Sequence, residues 1–119
     1  MGTELLVSGR VPLDEELLRE LADGDLSRIG GMIQDRTQAQ KTSGLDDDAF
    51  RIAEIAALAA LDAPLISWYM HLGSDAPDTD TMVGALIAVA PIIGAPRVVS
   101  AASNIVSATE PLEQVDEDL

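Results

Sequence analysis

The sequence predicts an all-α protein: a small helical domain of about six helices arranged around a central αα-hairpin. Three observations lead there. Hydrophobic residues fill 47% of 119 positions while Phe, Trp and Tyr occur once each, so the core must be Ala, Leu, Ile and Val, small residues that favour close helix packing. Apolar positions recur at helical spacing, and no alternating β-rich stretch is long enough to propose a sheet. Caps, acids and breakers punctuate the chain at helix-length intervals.

In chain order, residues 1–10 show no strong periodicity. Val11-Pro12-Leu13-Asp14-Glu15-Glu16 then sets acids at a helix start, where they complement its positive end. Leu13, Leu17, Leu18 and Leu21 form its apolar stripe, and Ala22 to Asp25, with Gly24, ends it. A shorter helix is expected over Leu26 to Gln38, disturbed by Gly30-Gly31, and Thr37 to Gly44 reads as a linker. Ser43-Gly44-Leu45-Asp46-Asp47-Asp48 is a dense start signal for a helix from Ala49 to about Leu61. That helix is apolar nearly all round, with Arg51 and Glu54 its only charges, the pattern of a central, enclosed element. Asp62-Ala63-Pro64 stops it, and Leu65 to Leu72, ending at Gly73, completes the αα-hairpin.

Beyond a polar loop, Asp78 or Asp80 caps a helix from Thr81 to about Ile93, interrupted by Pro91 and closed by Gly94-Ala95-Pro96. The last helix, Pro96 to about Thr109, carries Val98, Val99, Ala102, Ile105 and Val106 opposite Ser100, Ser103, Asn104 and Ser107. Glu110 to Leu119 holds five acids and no base, a disordered solvating tail by composition. The expected organisation is an N-terminal helical extension (1–44), a helical core (45–109) and an acidic tail (110–119).

Charge and composition exclude several function classes. Asp plus Glu number 21 against 7 Lys plus Arg, a formal charge of -14, so the field repels polyanions and nucleic acid is not an expected partner. The absence of cysteine removes disulfides, thiolate metal sites and cysteine nucleophiles. Met1 to Arg10 has neither the basic start nor the apolar run of a secretory signal, so a cytoplasmic location is expected. Met82 to Ala108 carries one charge, Arg97, yet Pro91, Gly94 and Pro96 break it into pieces too short for a membrane span. A core of small residues buries little area each, which makes a homo-oligomer the natural remedy.

The chemistry has few places to reside. His71 is the only histidine. It stands either as a structural imidazole at a helix C-terminus or, since Trp68, Tyr69 and Met70 precede it, on a small pocket. Glu54 lies nine residues before Ala63 and His71 eight after it, so antiparallel helices bring the two to similar heights. Glu54 then either faces solvent or pairs with the imidazole. Ser67, four residues before His71, shares its helical face. No G-x-S-x-G elbow, H-E-x-x-H, EF-hand or phosphate-loop spacing is present, so neither a metal nor a cofactor is expected.

From Leu45 to about Ser107 the chain resembles the carboxymuconolactone decarboxylase family, which includes the alkylhydroperoxidase D-like proteins. The residues that carry the resemblance are the Arg-led Ala/Leu helix Phe50 to Leu61, the single His71 after the turn, and the Gly94-Ala95-Pro96 break. The resemblance implies an all-helical protomer that assembles into dimers, trimers or hexamers. It also places Pro64 and Ser67 where the peroxidase branch has its two cysteines, and Ile52 where that branch has its relay glutamate, with Glu54 about 200° further round. Ala88 and Ser100 fill slots that hold further histidines in the decarboxylase branch, and the loop after His71 is about three residues short of that branch's.

The expectation is therefore a cofactor-free, decarboxylase-like lyase, not a thiol peroxidase, working by acid/base chemistry on a small carbonyl or lactone metabolite. His71 and Glu54 would be catalytic, and Ser67, Trp68 and Tyr69 would bind substrate, with Arg51 or Arg97 to gather an anionic one. The alternative is a non-catalytic oligomeric binding or accessory protein that retained the scaffold.

Overall fold

A computed structural model describes residues 11–73 and 75–110. Among them are six α-helices, a short 3-10 turn (Gly30–Met32) and no strand. The all-α class is therefore as predicted. The chain divides into two compact units, Met1–Asp47 and Asp48–Leu119. The residues expected to form an acidic tail, Glu110 apart, lie outside the described ones.

In the first unit, α1 (Glu15–Ala22) starts at Asp14, whose carboxylate accepts the Leu17 N–H at 2.9 Å. Of the leucine stripe, Leu17 is buried while Leu18 is exposed, because one residue turns a helix by about 100° and carries Leu18 off the face of Leu13, Leu17 and Leu21. Those three border an open apolar groove of about 330 Å³, completed by Ile29, Met32 and neighbouring residues. Arg28 folds back onto Glu20 through two hydrogen bonds of 2.9 and 2.7 Å, fastening the segment after α1 to it.

The expected helix over Leu26 to Gln38 is replaced by the 3-10 turn and α2 (Arg36–Ser43), which occupies most of the predicted linker. Asp35 accepts the Gln38 N–H and Gly44 closes the helix at φ 74°, in the left-handed region. α2 is polar apart from Ala39, so hydrophobic periodicity had nothing to reveal.

The second unit holds α3 (Asp47–Ala60) from its second residue on, α4 (Leu65–Leu72), α5 (Thr79–Ile93) and α6 (Ala95–Thr109). The hairpin of α3 and α4 is present with its expected bounds to within two residues. Its turn is set by Asp62, in the left-handed region at φ 51°, a conformation Asp tolerates better than most side chains. Three polar contacts hold it: the Trp68 indole N–H and the Asn104 amide donate to the Ala63 carbonyl at 3.1 and 3.4 Å, and the Ser100 hydroxyl donates to the Asp62 carboxylate at 2.8 Å.

α3 is not the enclosed central helix. Only Ile55 and Ala59 are buried on it, since alanines make a helix apolar by count while covering little area. α6 takes the middle place, packing on both α4 and α5. Its buried residues are Ala101, Ile105 and Ala108, whereas Val99 and Val106 of the expected stripe are exposed. The polar residues explain the rotation, because Ser100 and Asn104 are committed to the hairpin turn. Pro91 does not interrupt α5, which continues to Ile93 before Gly94, at φ 86°, separates it from α6. No helix among the described residues is long and apolar enough to cross a membrane.

Candidate functional site

Helical spacing brings the titratable groups together. Arg51 and Glu54 are three residues apart on α3 and share a face, and the hairpin turns α4 back so that His71, in its last turn, comes beside them. His71 Nδ1 lies 3.1 Å from Glu54 Oε2. Glu54 Oε1 lies 3.8 Å from Arg51 Nε. Arg51 also reaches past the end of α4, where its Nη2 donates to the Asp75 carbonyl and its Nη1 lies 3.9 Å from the Asp75 carboxylate.

The three side chains differ in their access to water: Arg51 is 11% exposed, Glu54 13% and His71 34%. Two of the charges are thus largely withdrawn from solvent and compensate each other, while the imidazole sits at the boundary. Arg51 Nε is buried without a hydrogen-bond partner among the described residues, so the guanidinium is held by its outer nitrogens and by Coulomb attraction to Glu54. With Glu54 ionised, Nδ1 carries the ring proton of the neutral imidazole and donates it to the carboxylate. Nε2 is left with the lone pair, the arrangement of a general base whose tautomer is set from behind.

The other candidates are not gathered here. Trp68 is 0% exposed, in the middle of the core, with its N–H on the Ala63 carbonyl, and it presents no surface to a substrate. A large side chain in a core of alanines is the residue that fills it. Tyr69 is partly exposed, but its hydroxyl donates to the Ser107 carbonyl at 3.2 Å, which ties α4 to α6. Ser67 is half-buried and directs its backbone N–H to the Pro64 carbonyl, with no hydrogen bond to the imidazole among the described residues. Glu54 rather than position 52 faces the histidine, and Ile52 is exposed. Arg97 is exposed on α6 and joins no described ion pair. Arg51 is the residue whose place sequence reasoning understated: its three-residue spacing from Glu54 was the signal for a pair.

Among the described residues, no three His, Asp or Glu side chains converge as metal ligands would. The open groove of the first unit and a cavity of about 130 Å³ between α5 and α6 are both lined by residues other than His71 and Glu54. No protein-family model, characterised protein or solved structure matches this chain.

Proposed function

We propose that this protein is a cofactor-free acid/base catalyst, of the carboxymuconolactone decarboxylase type its residues resemble, acting on a small carbonyl or lactone metabolite. The observation that supports this reading is the 3.1 Å contact between His71 Nδ1 and the largely buried Glu54 carboxylate. Glu54 orients the ring and stabilises the imidazolium that forms when Nε2 takes a proton. In a decarboxylation, the bond from the α-carbon to the carboxylate breaks, carbon dioxide leaves, and the electron pair stays as an enolate that the imidazolium protonates at carbon. In an isomerisation, the same nitrogen removes a proton from one carbon and returns it to another. Arg51 lies against that carboxylate in either case, with its Nε 3.8 Å from Glu54 Oε1.

The test uses the single histidine. His71→Ala is assayed for turnover against a panel of β-keto acids and lactones, while the wild-type imidazole is followed by proton NMR through a pH titration with and without each compound. The expected result is a loss of about 10² to 10⁴ in turnover with the helical spectrum intact. Wild-type turnover in His71→Ala rejects the reading, as does an imidazole that no compound perturbs.

The second reading is a non-catalytic oligomeric binding or accessory protein. It is favoured by Trp68, which lies in the core instead of lining a site. In that case the loss of His71 appears in the melting temperature rather than in any turnover.

A further inference from the structure

We propose that the apolar cavity between α5 and α6 is a binding site for a small organic amine, an ammonium group on an aliphatic or aromatic body of about six or seven carbons. The cavity, of about 130 Å³, lies where the first half of α5 meets the second half of α6. Its floor is made of core residues, Met82 at 8% exposure and Leu86 and Ile105 at 7%. Its rim is Val83 and Val106, open to water by 48% and 63%. The site is therefore half enclosed: an apolar body is sheltered at the floor while a polar end stays in water at the rim. An aliphatic-lined cavity of about 150 Å³ takes up a benzene ring, which sets the size of the body. The flexible thioether of Met82 lets the floor adapt to a flat or a branched one.

Charge selects an amine over an alcohol or an acid. Asp78 stands four residues before Met82, and Asp80 three before Val83, so the two carboxylates flank the α5 wall of the cavity. Asp78 is the N-cap of α5 yet makes no capping hydrogen bond, and Asp80 accepts the Thr81 N–H at 2.9 Å. Neither joins an ion pair among the described residues. Arg97, the only Lys or Arg from Gly73 to Glu110, lies nine residues before Val106 and on the opposite side of α6. The formal charge of -14 adds a field that draws cations toward the chain and repels carboxylates. Burial of the body supplies most of the affinity, with a Kd of about 0.1 to 1 mM for a ligand of about eight non-hydrogen atoms. The ammonium, solvated beside the two carboxylates, adds a factor of up to about five.

The site is independent of the catalytic reading, because His71 and Glu54 do not line it and its test involves no turnover. The full chain, labelled with carbon-13 at its methionine methyls, is titrated at neutral pH with benzylamine, benzyl alcohol and benzoate. The chain has four methionines, and three of them report on different places: Met82 on this cavity, Met32 on the groove of the first unit and Met70 on the exposed face of α4. Met82→Leu assigns the signal. Benzylamine should shift the Met82 methyl saturably, benzyl alcohol should bind about three- to fivefold more weakly, and benzoate more weakly still. Ala102→Leu puts an aliphatic chain into the cavity and should weaken benzylamine by about tenfold or more. The Asp78→Asn, Asp80→Asn double variant should bring benzylamine and benzyl alcohol to equal affinity. Should circular dichroism show Ala102→Leu to be unfolded, Val106→Phe, which closes the opening from an exposed rim position, decides in its place. Benzylamine that leaves Met82 unmoved, or that moves Met32 or Met70 instead, overturns the proposal, as does equal binding of the three probes. A Met82 signal that changes on dilution without any probe also overturns it, because another copy of the chain then covers the cavity.

Discussion

Removing the Glu54 carboxylate should be among the most damaging single changes in the polar structure of the second unit. Glu54 is 13% exposed and stands between Arg51, 11% exposed, and His71. Breaking a buried ion pair by deleting one partner costs about 3 to 5 kcal/mol, because the other charge is left without compensation. Arg51 retains the Asp75 carbonyl and a water-exposed Asp75 carboxylate, which brings the expected cost of Glu54→Ala to about 2 to 3 kcal/mol. For a unit the size of Asp48–Leu119, about 4 to 8 °C per kcal/mol converts this to a fall of roughly 10 to 20 °C in Tm. His71→Ala removes a partly solvated partner and should cost under about 1 kcal/mol. Urea unfolding at neutral pH measures both, and a cycle with Arg51→Ala should return a coupling of at least about 1 kcal/mol. The reasoning fails if Glu54→Ala lies within about 0.5 kcal/mol of wild type, or if His71→Ala costs more than Glu54→Ala.

Three further outcomes are expected. Asp62→Ala should destabilise by about 1 to 2 kcal/mol, losing both the Ser100 hydrogen bond and the tolerance of positive φ, while Asp62→Gly keeps the latter and should cost clearly less. Equal melting of the two would defeat that explanation. Gly84 lies exposed within α5, and a Cβ there meets nothing within 4 Å, so Gly84→Ala should stabilise by about 0.5 to 1 kcal/mol in thermal melts. The Ser27 hydroxyl and then its N–H hold the Asp25 carboxyl below the usual carboxylate range. Because the folded value is depressed, the contribution is present above the unfolded value and lost as pH falls through the folded one. Ser27→Ala should raise the Asp25 titration toward about 3.9, followed by carboxyl-carbon NMR.

The hairpin, and the similar heights of Glu54 and His71 on it, were legible because both rest on counting residues to and from a turn. The pairing of the two depends on which way Glu54 faces, and counting left that open. The elements that went unread rest on something else. α2 is held by an Asp35 cap and a left-handed Gly44, with no apolar period to announce it. The rotation of α6 depends on Ser100 and Asn104 reaching a turn about 40 residues earlier in the chain, a long-range hydrogen-bonding choice that one-dimensional periodicity does not contain. Trp68 looked like a pocket residue by its position beside His71. It is instead the volume a core of alanines lacks, and only the tertiary arrangement shows that its N–H is satisfied inside.

The placement of the aromatic residues has a spectroscopic consequence. Phe50, Trp68 and Tyr69 are the only aromatic side chains of the chain, and all three belong to the unit Asp48–Leu119. Trp68, with its indole shielded from water, should emit at short wavelength when folded and shift to the red when that unit opens. Far-ultraviolet dichroism sums the helices of both units, whereas fluorescence and the near-ultraviolet bands see the second unit alone. A single melt recorded by both probes therefore distinguishes concerted from stepwise loss of structure: coincident curves mean that the two units unfold as one cooperative body, and a dichroic step without a change in emission is the first unit melting by itself.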